Sequence, residues 1–174
     1  MSSELDVRIR TSDSAQELLQ LHDEYADFYT ELRLVTTWNS LERLGANELA
    51  SQRANGGEQL LSALCEHTKQ VVDWWEARSV STTAHALAQL QLHTKLWLPL
   101  WQALELCWLK RRGSFSVHDI ANAAWAFVTA SLATPRLLSL IAGQATLRLQ
   151  PMPDMVAATD LSLIHISEPT RLGM

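Results

Sequence analysis

One pattern of mostly apolar positions occurs three times along the chain: Leu34, Thr37, Trp38, Leu41 and Leu44; Val80, Thr83, Ala84, Leu87 and Leu90; Ile120, Ala123, Ala124, Phe127 and Ala130. The first two occurrences are 46 residues apart and the last two 40, with no gap inside any of them. Marks at i, i+3, i+4, i+7 and i+10 fall on one side of an α-helix and cannot line one side of a strand. A period of about 35–46 residues predicts a helical array, in which each unit buries its apolar side against the next. The expected fold is therefore all-α, an α-solenoid of antiparallel helical hairpins.

Capping and breaking residues place the elements. Residues 1–13 lack an apolar segment and are expected to be disordered, and 14–160 to form the repeat domain. A lead helix opens at Ser14, where Ser14 and Glu17 have the spacing of a capping box, and carries Leu18, Leu19, Leu21 and Tyr25. The first hairpin has an A helix over Glu31 to Leu44 closed by Gly45, then a polar connection over Asn47 to Gly57. Its B helix carries Leu60, Leu61, Leu64 and Cys65. The second A helix is expected from Ser79 to Leu92 and its partner from Lys95 to Arg112, with Pro99 requiring a start at Leu98 or a bend. In the third hairpin Ser116 caps a helix over Val117 to Ala130, and Thr134 and Pro135 open a second helix running to Leu149.

Beyond that, Pro153, Asp154, Met155, Val156, Ala157 and Ala158 match His118 to Ala123 and read as the opening of a fourth, truncated hairpin. Residues 161–174 resemble translated sequencing-adapter read-through at the end of an assembled transcript and are expected to be an artefactual tail. The final unit is then expected to expose apolar surface.

Composition suits this reading. Of 174 residues 47% are hydrophobic, with seven Trp but only six Gly and five Pro, which favours packed helices over a turn-rich sheet protein. The longest apolar run, Leu96 to Leu109, is broken by Pro99, Gln102 and Glu105 and is too short to cross a bilayer. Cys65 and Cys107 sit among apolar neighbours and read as core residues. A net charge of −5 argues mildly against a surface that grips phosphates throughout.

Candidate chemistry is sparse. His22, Asp23, Glu24 and Asp27 gather polar groups on one helix but with poor ligand spacing, and they read as a solvated face. Cys65 and His67 lack companions for zinc, and His93 and His118 lack an evident partner. No phosphate-cradling glycine loop, Walker motif or nucleophile elbow is present. No catalytic residue, cofactor or metal is expected.

The segment from Phe115 to Phe127, with Asp119 to Phe127 its most specific part, followed by Pro135 to Ile141, resembles one repeat of the octotricopeptide-like and RAP-domain proteins. Those families share a Leu-Ala-Asn-Thr-Ala-Trp-Ala motif, then Pro and a Leu-rich helix, and similar repeats occur in helical subunits of mitochondrial RNA-editing substrate-binding complexes. The motif's Asn and Trp fall on Asn122 and Trp125, whereas the second repeat has Thr82 and His85 in those slots and the first has Thr36 and Asn39. The resemblance implies a non-catalytic protein that binds single-stranded organellar RNA in the mitochondrial or plastid matrix. It would act in RNA processing, stability or translation, together with other subunits of an RNA-processing complex.

A second stripe recurs opposite the apolar one: Thr36, Asn39 and Arg43; Thr82, His85 and Gln89; Asn122, Trp125 and Thr129. Its positions repeat while its residue types vary, which is the arrangement needed to pair with or stack on successive unpaired bases. The same stripe also fits a plain solvated face, and Trp125 also fits packing in a core. Lys110, Arg111 and Arg112 form the one basic run, and Arg78, Arg136 and Arg148 are candidate supporting charges for phosphates. Its place at a helix C-terminus equally suits the helix dipole. The alternative to RNA binding is a HEAT- or armadillo-like scaffold for protein partners, which the acidic pI of about 5.6 favours.

Overall fold

The structure, a computed structural model, describes residues 2–111 and 115–149. Among the described residues it is all-helical: α1 (Ser2–Thr11), α2 (Ala15–Tyr25), α3 (Glu31–Leu44), α4 (Ala46–Gln52), α5 (Glu58–Val71), α6 (Ala77–Gln89), α7 (Leu98–Lys110), α8 (Val117–Thr129) and α9 (Pro135–Leu149). No helix among the described residues is long and apolar enough to cross a membrane.

The repeated apolar marks are the core. Leu34, Thr37, Trp38 and Leu41 of α3, Val80, Thr83, Ala84 and Leu87 of α6, and Ile120, Ala123 and Phe127 of α8 are all buried. These three helices lie side by side, α3 against α6 and α6 against α8, while α2, α5, α7 and α9 contact one another in sequence order. Five tryptophans, Trp38, Trp75, Trp97, Trp101 and Trp108, are fully buried and supply much of the apolar area. The α6–α8 contact is made by small residues, with Ala77, Ser81 and Ala88 of α6 almost inaccessible and Ser81 Oγ donating to Asp119 Oδ1 of α8 at 3.3 Å.

The 40-residue repeat extends to the turns. Leu92 N–H donates to Leu87 O and Leu132 N–H to Phe127 O, both at 2.9 Å, and the intervening Gln91 and Ser131 both take φ +58°. The ends of α6 and α8 are thus the same six-to-one closure, which satisfies carbonyls a helix end leaves bare. Ser116 and Asp119 form a reciprocal capping box on α8, and Thr134 Oγ1 accepts from Leu137 N–H at the start of α9.

Several expectations are corrected. Within the N-terminus expected to be disordered, Ser2–Thr11 form α1, which packs on α3 through Leu5 and Ile9, and Ser40 Oγ donates to Ile9 O while Arg33 Nε donates to Asp6 Oδ1 at 2.6 Å. The connection after Gly45 is largely helical, because Leu49 is buried and pins α4. Gly45 separates α3 from α4 at φ +92°, and the chain kinks again at Asn55 and Gly56, the latter at φ +96°, a backbone that favours glycine. Of the two options that Pro99 allowed, α7 takes the start at Leu98, with Pro99 in its first turn, where the N–H that proline lacks would have no intrahelical partner. The second A helix runs from Ala77 to Gln89, two residues earlier and three shorter at its end than expected. The expected fourth hairpin, the tail over 161–174 and Arg112 lie outside the described residues.

Candidate functional site

Because α3, α6 and α8 lie side by side, the polar stripe becomes one surface. Asn39, Arg43, Gln89, Trp125 and Thr129 are exposed, and Thr36, Thr82, His85 and Asn122 are half-buried. Its centre is His85. The imidazole lies 4.7 Å from the Trp125 ring at an interplanar angle of 36°, and its Nδ1 is 3.1 Å from Glu42 Oε1. One side chain thus links all three helices. Trp125 is 41% exposed, so the ring is a surface group in tilted contact with His85 and not part of the core. Asn122 Nδ2 and His118 Nε2 are 3.2 Å apart along α8, and Thr36 Oγ1 donates to Leu32 O.

Between α3 and α6 the stripe opens into a groove of about 550 Å³. Thr36, Asn39 and Thr82 line it together with Leu32, Val35, Glu31, Glu76, Arg78 and Ser79. Leu32 is 72% exposed there, and Glu31 Oε1 accepts the Glu76 N–H at 3.1 Å, tying α3 to the start of α6. The groove therefore combines apolar contact area with two carboxylates and one guanidinium.

The stripe's Arg43 and the basic run's Lys110 each have a carboxylate partner. Arg43 turns toward the chain start, donating to Ser12 O and pairing with Asp13 at 3.5 Å. Lys110 Nζ lies 2.9 Å from Asp73 Oδ1. Arg111 sits beside Cys107, whose thiol burial pushes up and the guanidinium pulls back. Both belong to the end of α7, which packs on α5, α6, α9 and the turn at Val72–Trp74. Arg136 and Arg148 are exposed on α9, and Arg78 is exposed at the rim of the groove.

A second cavity, of about 470 Å³, brings together residues that looked unrelated in the sequence. His22 of α2 and His67 of α5 approach to 3.0 Å between Nε2 and Nδ1, and Asp23, Asp27, Tyr29 and Glu66 line the same space. His22 is only 2% exposed, which corrects its reading as part of a solvated face. Burial, with a smaller contribution from His67, lowers its pKa from 6.5 to about 4, and burial lowers that of His67 as well. Among the described residues no group of three or more His, Cys, Asp or Glu side chains has the geometry to hold a metal ion. Sequence spacing gave no sign of this pair, because its members are 45 residues apart. Glu42, by contrast, was within reach of sequence reasoning, since it lies three residues beyond Asn39 on the same helix side.

No family model, curated protein or solved structure matches the chain.

Proposed function

We propose that this chain is a non-catalytic helical-repeat protein, an α-solenoid of antiparallel hairpins, that binds a partner protein along the face of α3, α6 and α8. The observation that carries the reading is the electrostatic balance of that face. Glu31, Glu42 and Glu76 border the stripe against the single guanidinium of Arg78, while Arg43 is turned away onto Asp13 and the Ser12 carbonyl. A phosphate chain needs Lys and Arg to replace its counterions, and a face with this balance supplies little of that term. A polypeptide segment carrying Lys or Arg beside an apolar side chain fits better. Its cation meets Glu31 and Glu76, and its apolar group covers Leu32 and Val35 in the groove.

RNA binding is kept as a second reading for one reason. Asn39, Thr82, His85, Asn122 and Thr129 stand on helices that neighbour one another in space, α3, α6 and α8, with Trp125 exposed among them, which supplies hydrogen-bonding and stacking groups in a line. Under that reading the chain serves single-stranded RNA in a mitochondrion or plastid, as its resemblance to octotricopeptide-like repeats implies.

A photo-crosslinking residue at Thr82, inside the groove, separates the two. In an extract of the source cells the adduct is expected to survive ribonuclease and be removed by protease. An adduct that ribonuclease destroys overturns the protein reading and supports the RNA one.

A further inference from the structure

The 46-residue repeat also governs the corners where the chain enters α3 and α6. Asp27, Phe28 and Tyr29 stand before α3, and Asp73, Trp74 and Trp75 before α6, at the same offset as the buried marks of these helices. Both corners are tight turns, with Tyr29 N–H donating to Ala26 O and Trp75 N–H to Val72 O, each at 3.0 Å. Extended backbone follows at Tyr29 (φ −80°, ψ 112°) and at Trp75 (φ −69°, ψ 150°). The second aromatic of each pair is buried, while the first stays outside, Phe28 at 53% and Trp74 at 83% exposure. The chain buries five of its seven tryptophans, yet Trp74 is the most exposed large hydrophobic side chain among the described residues. Trp75 already fills the core position of that corner, so packing gives no account of Trp74.

The charges beside the exposed ring differ between the corners. Asp73 is taken by Lys110 Nζ at 2.9 Å. Glu76, two residues after Trp74, is exposed and lines the groove between α3 and α6. Its N–H donates to Glu31 Oε1, while among the described residues no cation pairs with its carboxylate. At the first corner Thr30 stands in the place of Glu76, so the aromatic is repeated and the carboxylate is not. The Cα atoms of Trp74 and Glu76 are no more than about 7 Å apart, and one group can touch both side chains. Such a group must bring positive charge to the carboxylate and a flat face to the indole. A guanidinium has both, since it pairs with a carboxylate through two N–H groups and stacks on aromatic rings, whereas an ammonium is a compact, strongly hydrated point charge.

We infer that the cation received at Glu76 is an arginine of the partner protein, seated between the Trp74 ring and the Glu76 carboxylate, and that Trp74 selects it over lysine. This rests on the protein-binding reading of the groove and adds to it the identity of the anchoring side chain and the residue that recognises it.

Fluorescence anisotropy with the full chain at near-physiological salt tests this, using two labelled peptides, three copies of Gly-Ser-Leu-Arg in one and of Gly-Ser-Leu-Lys in the other. The arginine peptide is expected to bind about three-fold or more tightly than the lysine peptide. Trp74→Leu, a change at an exposed position, is expected to bring the two to equal affinity. Equal affinities in the native chain overturn the inference and leave the protein-binding reading standing, and so does an arginine preference that survives Trp74→Leu. Failure of both peptides to bind the native chain counts against the protein-binding reading itself and takes the inference with it.

Discussion

Two imidazoles 45 residues apart share one hydrogen bond at the edge of the core, and only one of them is open to solvent to any extent. His22 is held neutral by burial, so its pKa of about 4 lies below the ordinary 6.5. The sign follows from proton uptake. Between those values the unfolded chain takes up a proton that the folded chain refuses, so the contribution to stability is complete above 6.5 and is lost as pH falls toward 4. Lowering the pH from about 7.5 to about 5.5 is expected to cost roughly 1 kcal/mol through this residue alone. Urea midpoints for the native chain and for His22→Leu check it: the variant should lose most of the dependence, and an equal slope in both contradicts the assignment. Nothing near His22 in the sequence marks this pair, because neighbours in the sequence do not reveal a contact made between α2 and α5. The neighbours Asp23 and Glu24 instead suggested a solvated face.

At the scale of elements, the helices with a complete periodic face were legible, ends included for α3 and α9, and the end of α6 was not. Helix α8 was readable to within a residue because Ser116 caps it and every buried mark sits on schedule. The end of α6 was not, because its six-to-one turn is built on Gln91 where glycine is the usual signal. An L-residue in that left-handed conformation costs roughly 1 kcal/mol, which glycine avoids. Gln91→Gly and Ser131→Gly are both exposed changes that keep φ +58°, and each should raise stability by about 0.5–1 kcal/mol in denaturant unfolding. A loss in both would mean that their side chains contribute more than the backbone strain. Helices α1 and α4 escaped notice for a different reason. Each is short, and each is held by one or two buried side chains, Leu5 and Ile9 or Leu49, too few to make a periodic signal.

For the whole molecule, the repeat in the sequence carried over to helices in lateral contact, and that contact turned nine separate positions into one surface. What composition did not reveal was where the charges land. A net charge of −5 is compatible with a basic groove, and whether one exists depends on pairings such as Lys110 with Asp73 and Arg43 with Asp13, which join different elements. The Arg43 pairing leaves a stripe edged by Glu31, Glu42 and Glu76 against the single guanidinium of Arg78, the basis for assigning this face to a protein partner. The most direct test is equilibrium titration of the full chain with single-stranded RNA at a low and a near-physiological salt concentration. The account predicts no saturable binding at either. Saturable binding that weakens as salt rises, and that His85→Ala or Asn122→Ala reduces further, would contradict it and identify the stripe as an RNA-reading face.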